Sequence, residues 1–262
     1  MRQMSSADRM MLSLDGPSGH NTIGIVGIYD GSKRAAGPVT YDDVLHFVES
    51  RLHVATSFRE RIIHVPLGLD NPWWIPDADF DLEYHVRQLA IPRPGTWRQL
   101  CTQIARIHAR PLDLNRPPWE LYLIDGLDSV DHAPPGAFAT LLRVHHSAID
   151  GVAGAEILTA LHTSEPDGGP PPLVGDPWAP IPVPSDIDLL RRAAINGIKR
   201  PAHVVRLAGS FLRQLPVLQA DNRNPDVTSP ASLPKATRFN RPVSPHRVIG
   251  ASYTPLDTLK QI

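Results

Sequence analysis

His145-His146-Ser147-Ala148-Ile149-Asp150-Gly151 decides the reading of this chain. It follows Ala137-Phe138-Ala139-Thr140-Leu141-Leu142-Arg143-Val144, which alternates like a strand, and precedes a run from Val152 to Leu161 that reads as helix. Two histidines therefore sit at a strand-to-helix corner. Neighbours at a strand end point to opposite faces, so His145 and His146 are expected to do different jobs, one facing a cavity and the other packing. Asp150 stands where an N-cap would stand, and Gly151 permits a tight turn. Histidine, with an unperturbed pKa near ~6.5, is the natural base for activating a hydroxyl at neutral pH. The commoner role of a lone histidine is structural. Zinc sites on helices space their ligands three or four residues apart on one face, which adjacent histidines at a strand end do not supply, so no metal is expected.

The pattern HHxxxDG in this setting resembles the motif of the CoA-dependent acyltransferase superfamily. Pro111-Leu112-Asp113-Leu114-Asn115-Arg116-Pro117-Pro118-Trp119-Glu120 narrows the resemblance to the bacterial wax ester synthase/diacylglycerol acyltransferase family, through its PLDxxRPLWE segment. Met4-Ser5-Ser6-Ala7-Asp8-Arg9-Met10-Met11-Leu12 is similar to that family's start, as is Asp81-Leu82-Glu83-Tyr84-His85-Val86-Arg87 with Pro92-Arg93-Pro94-Gly95 after it. Two departures stand out. Pro118 replaces the usual leucine, and Gly19-His20-Asn21-Thr22 stands where a Pro-Met-His-Val type sequence is frequent.

The resemblance implies an α+β fold, a two-layer α/β sandwich with a mixed sheet flanked by helices, like one half of chloramphenicol acetyltransferase. It implies an O-acyltransferase that moves a long-chain acyl group from acyl-CoA to diacylglycerol, giving triacylglycerol, or to a long-chain alcohol, giving a wax ester. His146 would be the general base, His145 and Asp150 would complete the motif, and Gly151 would allow its turn. Arg116 would pair with Asp150 or Asp113, and Trp119 would anchor packing. Acyl-CoA enters as substrate, with no bound cofactor. Ser147 has no G-x-S-x-G elbow around it and is read as a neighbour, not a nucleophile. Two other readings share the motif: a condensation-type acyltransferase using a carrier-bound thioester, which the PLDxxRPxWE segment argues against, and a non-catalytic lipid-binding half.

Composition bounds the alternatives. The chain has 262 residues, 42% of them apolar, enough for a substantial core. A net charge of -1 offers no field for nucleic acid. Cys101, the only cysteine, is read as core in a helix, and no disulfide can form within the chain. The N-terminus lacks a signal-peptide core and no run approaches the roughly 20 apolar residues of a membrane span, so the expected location is cytoplasmic, with peripheral contact to membrane or lipid droplets allowed.

Residues 1–163 read as the acyltransferase domain. Ser6 is expected to cap a short helix, Thr22–Tyr29 to form a buried strand, and Thr40/Asp43 and Thr96/Gln99 to form capping boxes. Arg61–Val65 and Trp73–Ile75 read as a strand pair, Phe80–Val86 as an extended segment, and Trp119–Ile124 as a strand. Residues 164–245 read as a Pro-rich crossover followed by basic amphipathic helices from Ser185, broken at Pro201, with lipid contact as the minority role. Residues 246–262 read as the start of a truncated C-terminal domain: a strand over Arg247–Tyr253, then a helix with Thr254 as cap and Pro255 at its first position. The missing C-terminal domain is an implied partner.

Overall fold

The computed structural model describes residues 1–16, 19–32, 34, 37–149, 161–163, 169, 172, 179–198, 237, 244 and 246–260. The helix expected from Val152 and the helical stretch beyond Pro201 lie outside these residues.

The described residues fall into two units, the first comprising 1–63, 72–182 and 244–262, the second 64–71 and 183–243. The first is built on a four-stranded sheet in the order β2 (Thr22–Tyr29), β7 (Phe138–His145), β6 (Trp119–Asp125), β5 (Val86–Ala90). β2 and β6 run antiparallel to β7, whereas β5 is parallel to β6, so the sheet is mixed. A smaller antiparallel sheet joins β1 (Arg2–Gln3), β4 (Trp73–Pro76) and β3 (Glu60–Ile63), which contains the expected strand pair.

Period-2 alternation gives each face of the main sheet its own core. Trp119, Leu121, Leu142 and Val144 pack with Val48, Leu52, Phe58, Ile62 and Trp74, beneath helix α2 (Tyr41–Glu49) and the small sheet. Tyr122, Ile124, Ala139 and Leu141 face the other way, onto Leu100, Ile104 and Ile107 of helix α4 (Trp97–His108). Both helices start at the expected capping boxes, in which Thr40 and Thr96 accept from the backbone N–H three residues on. The cis Arg93–Pro94 bond and Gly95 lead into α4; Gly95 has φ 77°, and a side chain there would strike the carbonyl of Gly126.

Several expectations are corrected. Helix α1 (Ser6–Ser13) is capped by Ser5, not Ser6, through the Asp8 N–H. Phe80–Val86 is not extended throughout: Asp81 caps a short helix α3 (Leu82–His85), because its carboxylate can accept from the N–H groups of Glu83 and Tyr84. β2 is not buried. It is an edge strand whose Val26 and Ile28 are 43% and 36% exposed. Residues 247–253 form no strand, although Ile249 packs on the α4 core and Tyr253 stacks on His132 at 4.3 Å. The short helix Leu256–Leu259 is preceded by Pro255 as N-cap, with no side-chain cap from Thr254.

In the second unit Leu67 and Gly68 take positive φ, and the turn they form leaves Leu67 fully exposed. Ser185 caps the helix over residues 186–198 through the Asp188 N–H. Leu189 and Ala193 of that helix are buried and Asn196 donates to Asp70 at 2.7 Å. Ile187, Ile195 and Ile198 are exposed together on the opposite side, within about 80° of helical arc. No helix of the described residues is long and apolar enough to cross a membrane.

One ionic cluster is buried between β6, β7 and α4. Arg143, 1% exposed, lies opposite Glu120 in register and donates to it at 2.7 Å; Tyr122 donates to the same carboxylate oxygen at 2.9 Å. Removing one partner strands a charge, so Glu120→Gln is expected to cost about 3–5 kcal/mol by urea unfolding, and Glu120→Leu with Arg143→Met to cost much less. A second expectation concerns acid. Burial lowers the pKa of His85, His108 and His145. The unfolded chain therefore takes up protons first as pH falls through about 6.5, and their contribution to stability, present above that value, is lost below it. A urea midpoint that drops between pH 7.5 and 5.5, less steeply in His85→Phe, checks this.

Candidate active site

The strand β7 delivers His145 to the end of the sheet, where its N–H donates to the carbonyl of Pro118. A 3₁₀ turn, His146–Ala148, begins at once, so the two histidines leave the strand in different settings. His145 is buried and both its ring nitrogens are engaged. Nδ1 lies 3.1 Å from the Ser147 backbone N and 2.7 Å from the Ser147 hydroxyl, while Nε2 lies 3.2 Å from an Asp15 carboxylate oxygen. A backbone N–H can only donate, so Nδ1 accepts and the ring proton sits on Nε2, pointing at Asp15. Burial pushes the His145 pKa down, and the Asp15 carboxylate partly restores it.

His146 is only half-buried. Its backbone N–H donates to the Asn21 carbonyl at 2.7 Å, and its imidazole has no hydrogen-bond partner among the described residues. Of the two rings, His146 is thus the less engaged among the described residues. Ser147, His145 and Asp15 stand in the order of a hydroxyl, a base and an orienting carboxylate. Ser147 is 3% exposed, however, and its own N–H occupies the lone pair that a base would use. The trio is a clamp rather than a nucleophile.

Asp15 is the residue that sequence reasoning missed. One carboxylate oxygen holds His145 and the other accepts the Asn21 N–H at 2.6 Å. Asn21 in turn reaches the Met11 carbonyl at 3.2 Å and holds the His146 backbone. Reciprocal backbone bonds between Gly16 and Gly19 draw the two ends of this loop together. An acid followed by glycine after a short helix reads as a solvated turn, and no local spacing ties it to a histidine 130 residues later.

Asp150 and Gly151 lie outside the described residues. Arg116 rests its guanidinium 4.1 Å from the Tyr84 ring and 3.9 Å from the Asp113 carboxylate, half-exposed. Trp119 is buried: its indole N–H donates to the Phe58 carbonyl at 2.9 Å and its ring stacks on His85 at 4.7 Å. His85, also missed, sits between Trp119 and Phe80 with Nδ1 donating to the Trp119 carbonyl at 2.8 Å.

The clamp has a spectroscopic consequence. Asp15→Asn is expected to lower the His145 pKa further, since the carboxylate raises it, and to leave that of His85 unchanged. Imidazole nitrogen chemical shifts followed against pH report both rings; an unmoved His145 titration would remove Asp15 from this role.

The model of the wax ester synthase/diacylglycerol acyltransferase catalytic domain matches residues 4–262. A putative diacylglycerol O-acyltransferase of Mycobacterium tuberculosis is 36% identical over 185 residues, 71% of this chain and 37% of the relative. Another from the same species is 31% identical over 261 residues, 98% of this chain and 49% of the relative. The chain thus spans half or less of the length of these two relatives. Among solved structures, the wax ester synthase/diacylglycerol acyltransferase from Marinobacter aquaeolei VT8 superposes with a TM-score of 0.52 and 28% identity, over 64% of this chain and 41% of that one. With the family model spanning nearly every residue and the mixed sheet leading into the paired histidines, this chain belongs to the wax ester synthase/diacylglycerol acyltransferase family.

Proposed function

We propose that this chain carries the proton-transfer half of an O-acyltransferase that moves a long-chain acyl group from acyl-CoA to the free hydroxyl of diacylglycerol. A long-chain alcohol is the second acceptor. The observation that carries the reading is the division between the histidines: His145 is spent on Asp15 and Ser147, and the half-buried His146 ring has no hydrogen-bond partner among the described residues. The names of the relatives favour diacylglycerol.

In this reading the His146 imidazole takes the acceptor's hydroxyl proton as the oxygen attacks the thioester carbonyl. The tetrahedral intermediate collapses by breaking the C–S bond, and the imidazolium returns the proton to the departing CoA thiolate. Ester and free thiol are the products, and no acyl-enzyme forms. His145 acts by position, holding the corner while neutral and buried. Asp150 and Gly151 would complete the turn after the base.

His146→Ala is expected to reduce kcat by at least about 10²-fold, whereas Ser147→Ala retains turnover within a few-fold. The assay follows thiol release from palmitoyl-CoA with diacylglycerol or hexadecanol, for this chain and for the chain extended by a C-terminal region. Equal activity of His146→Ala and the parent would refute the base. Binding without turnover in either form would favour the non-catalytic lipid-binding reading.

Acceptors of this kind reside in lipid, and the second unit has a feature suited to a lipid surface. Ile187, Ile195 and Ile198 face outward, with Arg191 among them and Arg192 at their edge. Replacing the three isoleucines with serine is expected to abolish co-flotation with anionic liposomes at low salt; flotation unchanged by the substitutions would exclude this face.

A further inference from the structure

Away from the histidine corner, a cavity of about 540 Å³ opens between α4 and residues 246–249. Its lining divides by chemistry. Cys101, Ala105, Ala109 and Ile249 give it an apolar floor, and Arg106, Arg110, His246 and Arg247 ring it with nitrogen donors. Among the described residues no acidic side chain lines it. Among the described residues no carboxylate lies within ion-pair distance of the three arginines.

Cations near a helix C-terminus have an ordinary explanation, since they complement the helix dipole. That accounts for Arg106 and Arg110, one turn apart at the end of α4. It does not account for Arg247, which belongs to a distant segment held on the first unit by Ile249 in the α4 core and by the Tyr253–His132 stack. Arg247 brings a third guanidinium to the pair, close enough to His108 that its charge helps to lower that residue's pKa. Guanidinium groups brought together from separate segments without counter-charges repel one another, and a bound anion relieves the repulsion. Arginine forks match phosphate oxygens in geometry.

We propose that this cavity is a phosphate-ester subsite for an amphiphilic ligand, the arginines taking the phosphate and the apolar floor taking an uncharged portion of the ligand. Resting on the acyl-transfer reading above, the expected source is the nucleotide end of acyl-CoA; a phospholipid headgroup offers the same chemistry. The cavity is tied to the histidine strand. The carbonyl of Arg110 accepts from the Arg143 guanidinium, and Arg143 precedes His145 by two residues on the same sheet face, about 7 Å along the strand.

The test is calorimetric titration of the 262-residue chain with CoA, dephospho-CoA and inorganic phosphate at low salt, beside flotation with phosphatidic-acid and with pure phosphatidylcholine vesicles. CoA is expected to bind more tightly than dephospho-CoA. Arg106→Gln, Arg110→Gln and Arg247→Gln should each weaken CoA binding about three- to tenfold, and Arg98→Gln, on α4 but outside the cavity, should not. Binding of phosphatidic-acid vesicles but not of CoA, lost in the same three variants, upholds the subsite with lipid as its source. Binding of CoA without acyl transfer upholds the subsite while the transferase reading fails. Acyl transfer with a Kd for CoA indifferent to all three arginines, or equally weakened by Arg98→Gln, overturns the subsite and leaves the transferase standing.

Discussion

The buried pair between Arg143 and Glu120 is the constraint on which the histidine corner depends. Both residues lie on the sheet face that meets α4, directly across from one another, and a slip of one residue would send the two charges to opposite faces. An unpaired guanidinium in that position is costly enough to exclude the slipped register. The same guanidinium reaches the Arg110 carbonyl just past the end of α4, so one side chain ties two strands and a helix terminus together. Opposite it on β2 stands Gly24, where a side chain would meet the His108 ring at 3.0 Å. The missing side chain makes room for the helix end.

Polarity along this sheet face decides where chemistry can happen. At the start of β7, Ala139 and Leu141 meet Ile124, Leu100 and Ile104 in an apolar, buried layer. Toward its end come Arg143 and His145, with Glu120 beside them on β6. α4 follows the gradient, presenting Leu100, Ile104 and Ile107 before His108, with Arg110 just past its end. Arg143 and Glu120 pair here and burial favours the neutral forms of His108 and His145, while Arg143 Nε and His108 Nδ1 have no hydrogen-bond partner among the described residues. The outcome is a rigid strand end, from which a turn can present a less buried imidazole.

Most of the scaffold was legible in the sequence because its signals are local. The two capping boxes, the Trp119 strand and the stripe of Leu100, Ile104 and Ile107 each follow from spacing within a few residues. Phe80–Val86 misled because alternating residues also suit a single helical turn, and Asp81 supplied the cap that decided it. Arg247–Tyr253 misled because β-branched residues show a preference that needs a neighbouring strand to be realised. Exposure of β2 was equally illegible: Ile23, Ile25, Val26 and Ile28 read as buried, but the count of neighbours depends on sheet order.

The candidate site divides along the same line. A motif can nominate two histidines, yet it cannot say which ring is free, because that depends on groups brought from the N-terminal turn. Asp15 engages one of the two rings, fixing the Nε2–H tautomer of His145 from one side while Ser147 fills Nδ1 from the other. Through Asn21 the same carboxylate steadies the backbone of His146 without touching its ring. The two rings are thereby distinguished: the one that orders the corner is buried and saturated, and among the described residues the one beside it is held only through its main chain. In the proposed reading, an imidazole with no hydrogen-bond partner among the described residues keeps the lone pair that hydroxyl activation requires, which two equally engaged histidines could not provide.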